Sequence, residues 1–184
     1  MQVTKTILAA FSAERMFALI EAAEHYPEFL PWCAEATIVE RTATVVAADI
    51  TVDYHGVRFH FRTRNPKRHP EWMALALEHG PFRHFEGEWN LKPLGADGCR
   101  IAFELRYDFK STLMSKLAGP VFDRIADTLV DAFVARAEAV YRADVQTQLE
   151  PQPPPQAEAQ PLAAPIVTPD SASLGADPNR SDSP

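Results

Sequence analysis

Paired cysteines, metal-ligand spacing and long apolar runs are all missing from this chain. Cys33 and Cys99 are its only cysteines, far apart and without a Cys-x-x-Cys. A disulfide between them stays open, but two buried thiols in a reducing compartment fit better. The six histidines (25, 55, 60, 69, 79 and 84) keep no ligand spacing with one another or with the cysteines, so no metal site is expected. No glycine-rich phosphate loop and no Gly-x-Ser-x-Gly occurs, which removes the usual marks of nucleotide and serine-hydrolase chemistry. No stretch approaches the ~18 apolar residues of a membrane span. Met1 to Thr6 lacks a basic region followed by an apolar run. A cytoplasmic protein without a cofactor is expected.

Aromatic residues are absent after Arg142, and nine of the sixteen prolines fall between Pro151 and Pro184, among Ala, Gln, Ser and Asp. Such a segment has too little apolar surface to offset the entropy of ordering, so 144–184 is expected to be a disordered acidic tail. Residues 1–143 remain as one domain, long enough to bury about two-thirds of the unfolded surface. Six tail acids against Arg180 carry −5 of the net −7, leaving the domain at only −2. The acidic balance therefore describes the tail. DNA is not an expected partner, but the domain's charge does not exclude RNA.

What is present begins with a stiff apolar corner, Tyr26-Pro27-Glu28-Phe29-Leu30-Pro31-Trp32-Cys33. Pro27 should push Tyr26 out of the helical region and Pro31 should do the same to Leu30, leaving room for at most one helical turn. Before the corner, Val3 to Ala10 suits a strand. Ser12 suits the N-cap of a helix carrying Met16, Phe17, Leu19 and Ile20, ending near Ala23.

From Ala36 onward the apolar period is two. Val46, Ala48, Ile50, Val52 and Tyr54 alternate with Ala47, Asp49, Thr51 and Asp53; a turn at His55-Gly56 follows. Val57, Phe59 and Phe61 then face one way, with Arg58, His60, Arg62 and Arg64 opposite, until Asn65-Pro66 is expected to break the strand. Glu71–His79, Phe82–Leu94 and Ile101–Phe109 continue the pattern. One-sided alternation implies an antiparallel sheet with one covered face. The cover is a helix expected to start at Pro120, with Phe122, Ile125, Ala126, Leu129, Ala132, Phe133, Ala137 and Val140 at helical spacing. It would span about 35 Å, and an amphipathic turn or two, Leu113 to Leu117, should precede it. The fold class is α+β: about seven curved antiparallel strands around a long C-terminal helix.

Specific motifs accompany that pattern: the corner itself, Phe17, Phe61-x-Thr63-Arg64-Asn65, Gly80-Pro81-Phe82-Arg83, Gly87-x-Trp89 and Leu94. They continue with Phe122-x-x-Ile125-Ala126 and Ala132-Phe133-x-x-Arg136-Ala137-x-x-Val140-Tyr141. On these residues, Val3 to Arg142 resembles the START-like, polyketide-cyclase-related superfamily. Within it the chain is similar to the branch holding coenzyme Q-binding proteins and RatA-type ribosome-association toxins. The resemblance implies a helix-grip fold and an apolar tunnel for a lipid such as ubiquinone. It also implies two kinds of macroscopic partner, the inner-membrane surface and the large ribosomal subunit.

Each candidate feature has a plain alternative. Val52, Phe61, Leu75, Phe85, Phe103, Phe122, Leu129 and Phe133 either fill a core or line a lipid site; Phe29, Trp32 and Trp89 would stand near its entrance. The corner is a plug for one end of the fold or a gate for ligand and membrane. Between Tyr54 and Pro70 there are no acids, but Arg58, Arg62, Arg64, Lys67 and Arg68 are present. They either contact anionic lipid or ribosomal RNA, or form a solvated face paired with Asp49 and Asp53. His84, Glu86 and Glu88 share one face, the nearest approach to an acid/base set, and a cyclase-like enzyme is the third functional reading. No residue is assigned a catalytic role.

Overall fold

The computed structural model describes residues 1–149, with side chains described to Arg142. Strand β1 (Gln2–Ala9) leads to α1 (Ala13–Glu21), a 3-10 turn (Ala23–His25) and the single turn α2 (Tyr26–Phe29). Six strands follow: β2 (Cys33–Arg41), β3 (Val45–Tyr54), β4 (Val57–Arg68), β5 (Trp72–His79), β6 (Phe82–Pro93) and β7 (Cys99–Phe109). Helix α3 (Thr112–Leu149) completes the described chain. The strands form one antiparallel sheet in the order β1-β7-β6-β5-β4-β3-β2. β2 to β7 run as a meander, and β1 pairs with the last strand. The two short helices carry the chain from one edge of the sheet to the other.

The period-two residues behave as their alternation requires. Ile101, Phe103, Leu105, Tyr107 and Phe109 are all buried on β7, as are Val46, Ala48, Ile50 and Val52 on β3. They meet the apolar stripe of α3, in which Ala118, Phe122, Ile125, Ala126, Val130, Phe133 and Ala137 are buried. This is the helix-grip arrangement. One end of the interior is solid with aromatic rings. Phe82 stacks on Phe109 with centroids 4.7 Å apart, Phe61 meets Phe82 at 5.6 Å, and Tyr107 meets Phe122 at 4.6 Å. Cys33 and Cys99 are buried free thiols on different strands.

Ser12 caps α1 as its position suggests, its Oγ accepting from the Arg15 N–H at 3.3 Å. Three proline-based expectations need correction. Tyr26 lies in the right-handed helical region (φ −56°, ψ −40°) despite Pro27. Tertiary contacts override the local preference: its hydroxyl donates to the Ile20 carbonyl at 2.5 Å, and its ring packs edge-on to Phe133. Leu30, ahead of Pro31, is extended as expected.

β4 does not break at Asn65-Pro66 but runs on to Arg68. The Lys67 N–H donates toward β3, to Thr44 O at 2.8 Å, so the missing donor of Pro66 falls on the β5 side. There the ladder is interrupted between the pairs Thr63–Leu77 and Lys67–Met73. The Asn65 side chain spans the interruption, its Oδ1 accepting from the Ala76 N–H at 3.3 Å. A proline is tolerated where no ladder bond is made.

Helix α3 starts at Thr112, not Pro120, and takes in the expected preceding turn. Pro120 sits in its interior with an exposed ring, while the buried stripe passes through Ala118 and Phe122 on either side. Packing outweighs the one lost backbone bond. The helix also continues through 144–149, residues the composition assigns to the tail; the remainder of that expected tail, 150–184, lies outside the described residues.

Candidate functional site

Between the aromatic-filled end and the Tyr26–Trp32 corner, the sheet and α3 leave a cavity of about 90 Å³. Its wall comes from most elements of the fold. β4 supplies Phe61, β5 Leu75, β6 Phe85 and Trp89, and β7 Phe103. α3 contributes Phe122, Leu129 and Phe133, the corner Tyr26 and Trp32, and β3 Val46, Ala48 and Ile50. Trp89 lies against Phe103 at 4.4 Å and meets Phe133 edge-on at 5.4 Å, which fixes the wall's rings against one another. Burial pushes the Tyr26 phenol well above its usual range, so it stays a neutral donor to Ile20 O.

One end of the cavity is polar. The inward face of β4 changes character along its length: Val57, Phe59 and Phe61, then Thr63, Asn65 and Lys67. Thr63 and Asn65 line the cavity, as does Glu21 at the end of α1. Lys67 forms an ion pair with Glu21 and is itself buried. The strand break expected at Asn65-Pro66 hid this end; the unbroken alternation Phe61-x-Thr63-x-Asn65-x-Lys67 was the signal that could have revealed it.

Of the residues expected at a lipid site, Trp32, Phe61, Leu75, Phe85, Trp89, Phe103, Phe122, Leu129 and Phe133 are brought together around the cavity. Phe29 and Val52 are not. Phe29 stands behind the wall, against Tyr26 and Phe133 and beneath the Arg136 guanidinium. Val52 is fully buried in the β3 ladder, opposite Cys33 and Phe59.

The basic strand separates into two faces. Lys67 points inward and does not belong to the outer group, because it is an even number of residues from Phe61. Arg58 bonds Asp53 at 2.8 Å, Arg62 grips Asp49 through two contacts of 2.8 and 2.7 Å, and Arg64 pairs with Glu40. Arg68 lies over the Trp72 ring at 5.2 Å. Arg58 and Arg62 thus take the partners that the plain alternative names, whereas Arg64 and Arg68 take others.

His84, Glu86 and Glu88 are also outside, away from the cavity. His84 approaches Glu86 at 3.1 Å, while Glu88 accepts from Trp72 Nε1 at 3.0 Å and Asn90 Nδ2 at 2.9 Å. Among the described residues no group of three or more His, Cys, Asp or Glu side chains gathers into a metal-binding cluster, and no helix is long and apolar enough to cross a membrane.

The profile of the polyketide cyclase/dehydrase and lipid transport family matches residues 9–134. The chain belongs to that family. Within it, the persistence and stress-resistance toxin PasT of Escherichia coli is 37% identical over 125 residues, 68% of this chain and 79% of PasT. The ribosome association toxin RatA of Pseudomonas aeruginosa is 34% identical over 124 residues, 67% of this chain and 86% of RatA. A coenzyme Q-binding protein COQ10 homolog B of Xenopus laevis is 28% identical over 121 residues, covering 62% of this chain and 49% of that one. Among solved structures, the Zhui aromatase/cyclase of Streptomyces sp. R1128 superposes with a TM-score of 0.69 at 18% identity, over 78% of this chain and 97% of that one. That likeness speaks for the fold. In sequence, this member of the family stands with proteins named as toxins and a binding protein rather than as enzymes.

Proposed function

We propose that this protein is a non-enzymatic carrier that holds an isoprenoid lipid of the ubiquinone kind beneath α3 and hands it to respiratory membranes. The observation that carries this reading is the aromatic-walled cavity, which offers apolar surface to a ring and its tail. Burying apolar surface favours binding by about 25 cal/mol per Å² without needing a polar partner. The resting cavity, about 90 Å³, is smaller than the ~150 Å³ space that takes up benzene. Loading therefore requires lining side chains to swing aside. Leu129, a lining residue of α3 that is only partly buried, is the one we expect to move. The COQ10 homolog's name lends support from a more distant relative.

The test is to express the full chain in a ubiquinone-making bacterium, purify it without detergent, and identify extracted lipid by mass spectrometry. Near-stoichiometric quinone is expected, and its loss in a folded Leu129→Glu variant. An empty wild-type protein would overturn the reading.

A second reading is favoured by the name of one of the more similar relatives, the ribosome association toxin RatA: association with the ribosome, which we place at the large subunit and at the outer surface of this chain. Co-sedimentation with that subunit, weakened by salt and by reversing Arg58, Arg62 and Arg64 together, is its expected signature. Binding indifferent to both would remove β4 as the contact.

A further inference from the structure

The cavity's polar end contains two side-chain donors that have no hydrogen-bond partner among the described residues. Asn65 is only 8% exposed and Thr63 only 5%. The Ala76 N–H fixes the Asn65 amide by bonding its Oδ1, so Nδ2 is the atom left over. Among the described residues, neither Asn65 Nδ2 nor the Thr63 hydroxyl has a hydrogen-bond partner, and neither is sealed away as a buried orphan. Both residues line the cavity. They are two apart on one strand face, spaced about 7 Å along it, close enough to serve one ring.

Among the described residues Glu21 is the one carboxylate lining the cavity, and the Lys67 ammonium neutralises it. An acceptor oxygen entering this end therefore meets donors and a compensated acid rather than a bare negative charge.

We propose that Asn65 and Thr63 are the head-group end of the cavity and select a ring that carries a carbonyl oxygen. The inference rests on the cavity being a ligand site, as argued above. A hydrocarbon ring would cover both donors without satisfying them, and covering an unmet donor opposes binding. A ring ketone or quinone satisfies at least one. The site thus rejects pure hydrocarbons by leaving its own polar groups unpaired, while the aromatic wall treats both alike.

The experiment compares two probes with the same carbon skeleton, 2,3-dimethyl-1,4-naphthoquinone and 2,3-dimethylnaphthalene. Binding to the full chain is measured by calorimetry and by fluorescence of Trp32 and Trp89, which line the wall. The quinone is expected to bind at least about tenfold more tightly. Asn65→Asp keeps an acceptor for Ala76 and removes the donor; it should weaken the quinone about tenfold and leave the hydrocarbon unchanged. Thr63→Val should weaken the quinone by a smaller factor, and it decides the matter if the first variant does not fold.

Equal wild-type affinity for the two probes would overturn the head-group assignment while leaving the cavity reading intact. Binding of neither probe would overturn both. Parallel loss of quinone and hydrocarbon in the variants would mark the two residues as structural and overturn the assignment.

Discussion

Lys67 on β4 and Glu21 on α1 form an ion pair beneath the sheet, the lysine side chain 5% exposed and the glutamate 23%. It ties the first helix to the strand that floors the cavity. Removing one partner leaves the other charge uncompensated in a poorly solvated place, which costs more than the pair itself contributes. Lys67→Met should therefore lower stability by about 3 kcal/mol, read from urea unfolding. Adding Glu21→Met should restore most of the loss. A single variant as stable as the wild type would show that the pair contributes nothing.

Gly87 offers a second stability test. On β6 it lies opposite Leu105 of β7, and a Cβ there would stand 2.4 Å from the Glu104 carbonyl oxygen and 3.1 Å from Leu105 Cδ1. The nearer obstacle is backbone, which cannot rotate away. Gly87→Ala is expected to cost about 2 kcal/mol and to shift the urea midpoint without changing its slope. An unshifted midpoint would show that the two strands can separate there at little cost.

Acid should weaken the domain. Hydrogen bonds from arginine hold three carboxyls below their usual range: Glu24 through Arg41, Glu40 through Arg64 and Asp49 through Arg62. His25 and then Arg136 do the same for Glu28. A carboxyl with a depressed folded-state pKa contributes stability that is complete above its unfolded pKa. That contribution is lost as pH falls through the folded value. Apparent stability should be level down to about pH 5 and decline below about pH 4. Arg62→Gln should remove part of that decline. A midpoint that rises on acidification would contradict the sign.

The thiols should be inert in the folded protein. Burial pushes Cys33 up to about 12 and Cys99 up to about 11, so almost no thiolate is present at neutral pH. A disulfide-exchange reagent at pH 8 is expected to label neither cysteine in native buffer and both in denaturant. Rapid native labelling would mean that the domain opens readily around one of them.

Most of the sheet could be read directly from alternation, because one buried face forces apolar residues onto every second position. β7 is the clearest case, and Phe61, Phe103 and Phe133 were placed around the cavity by periodicity joined to the family resemblance. The errors cluster at proline. Pro66 lies where the β4–β5 ladder makes no bond, Pro120 keeps its ring on the wet side of α3, and Pro27 starts a turn that tertiary contacts hold closed. Local preference alone cannot show which neighbour a missing N–H would have served. The polar end of the cavity was lost with the first of these errors, since Thr63, Asn65 and Lys67 share a face only if the strand continues. The pairing of Arg62 with Asp49 was legible as a cross-strand alternative; Arg64 with Glu40 was not, because it needs the order β4-β3-β2.

Where β4 meets β5, a side-chain amide takes the place of consecutive ladder bonds. The seven-stranded sheet is continuous, but its β4–β5 ladder is paired only toward its two ends, at Arg62–His79 and Thr63–Leu77 and again at Lys67–Met73 and Arg68–Trp72. Amide exchange at Ala74 and Ala76 should be faster than elsewhere in the central strands. Dilation of the chamber is expected to cost least along this interruption, where few ladder bonds have to break. The volume at rest then sets a lower bound on what the chamber can hold.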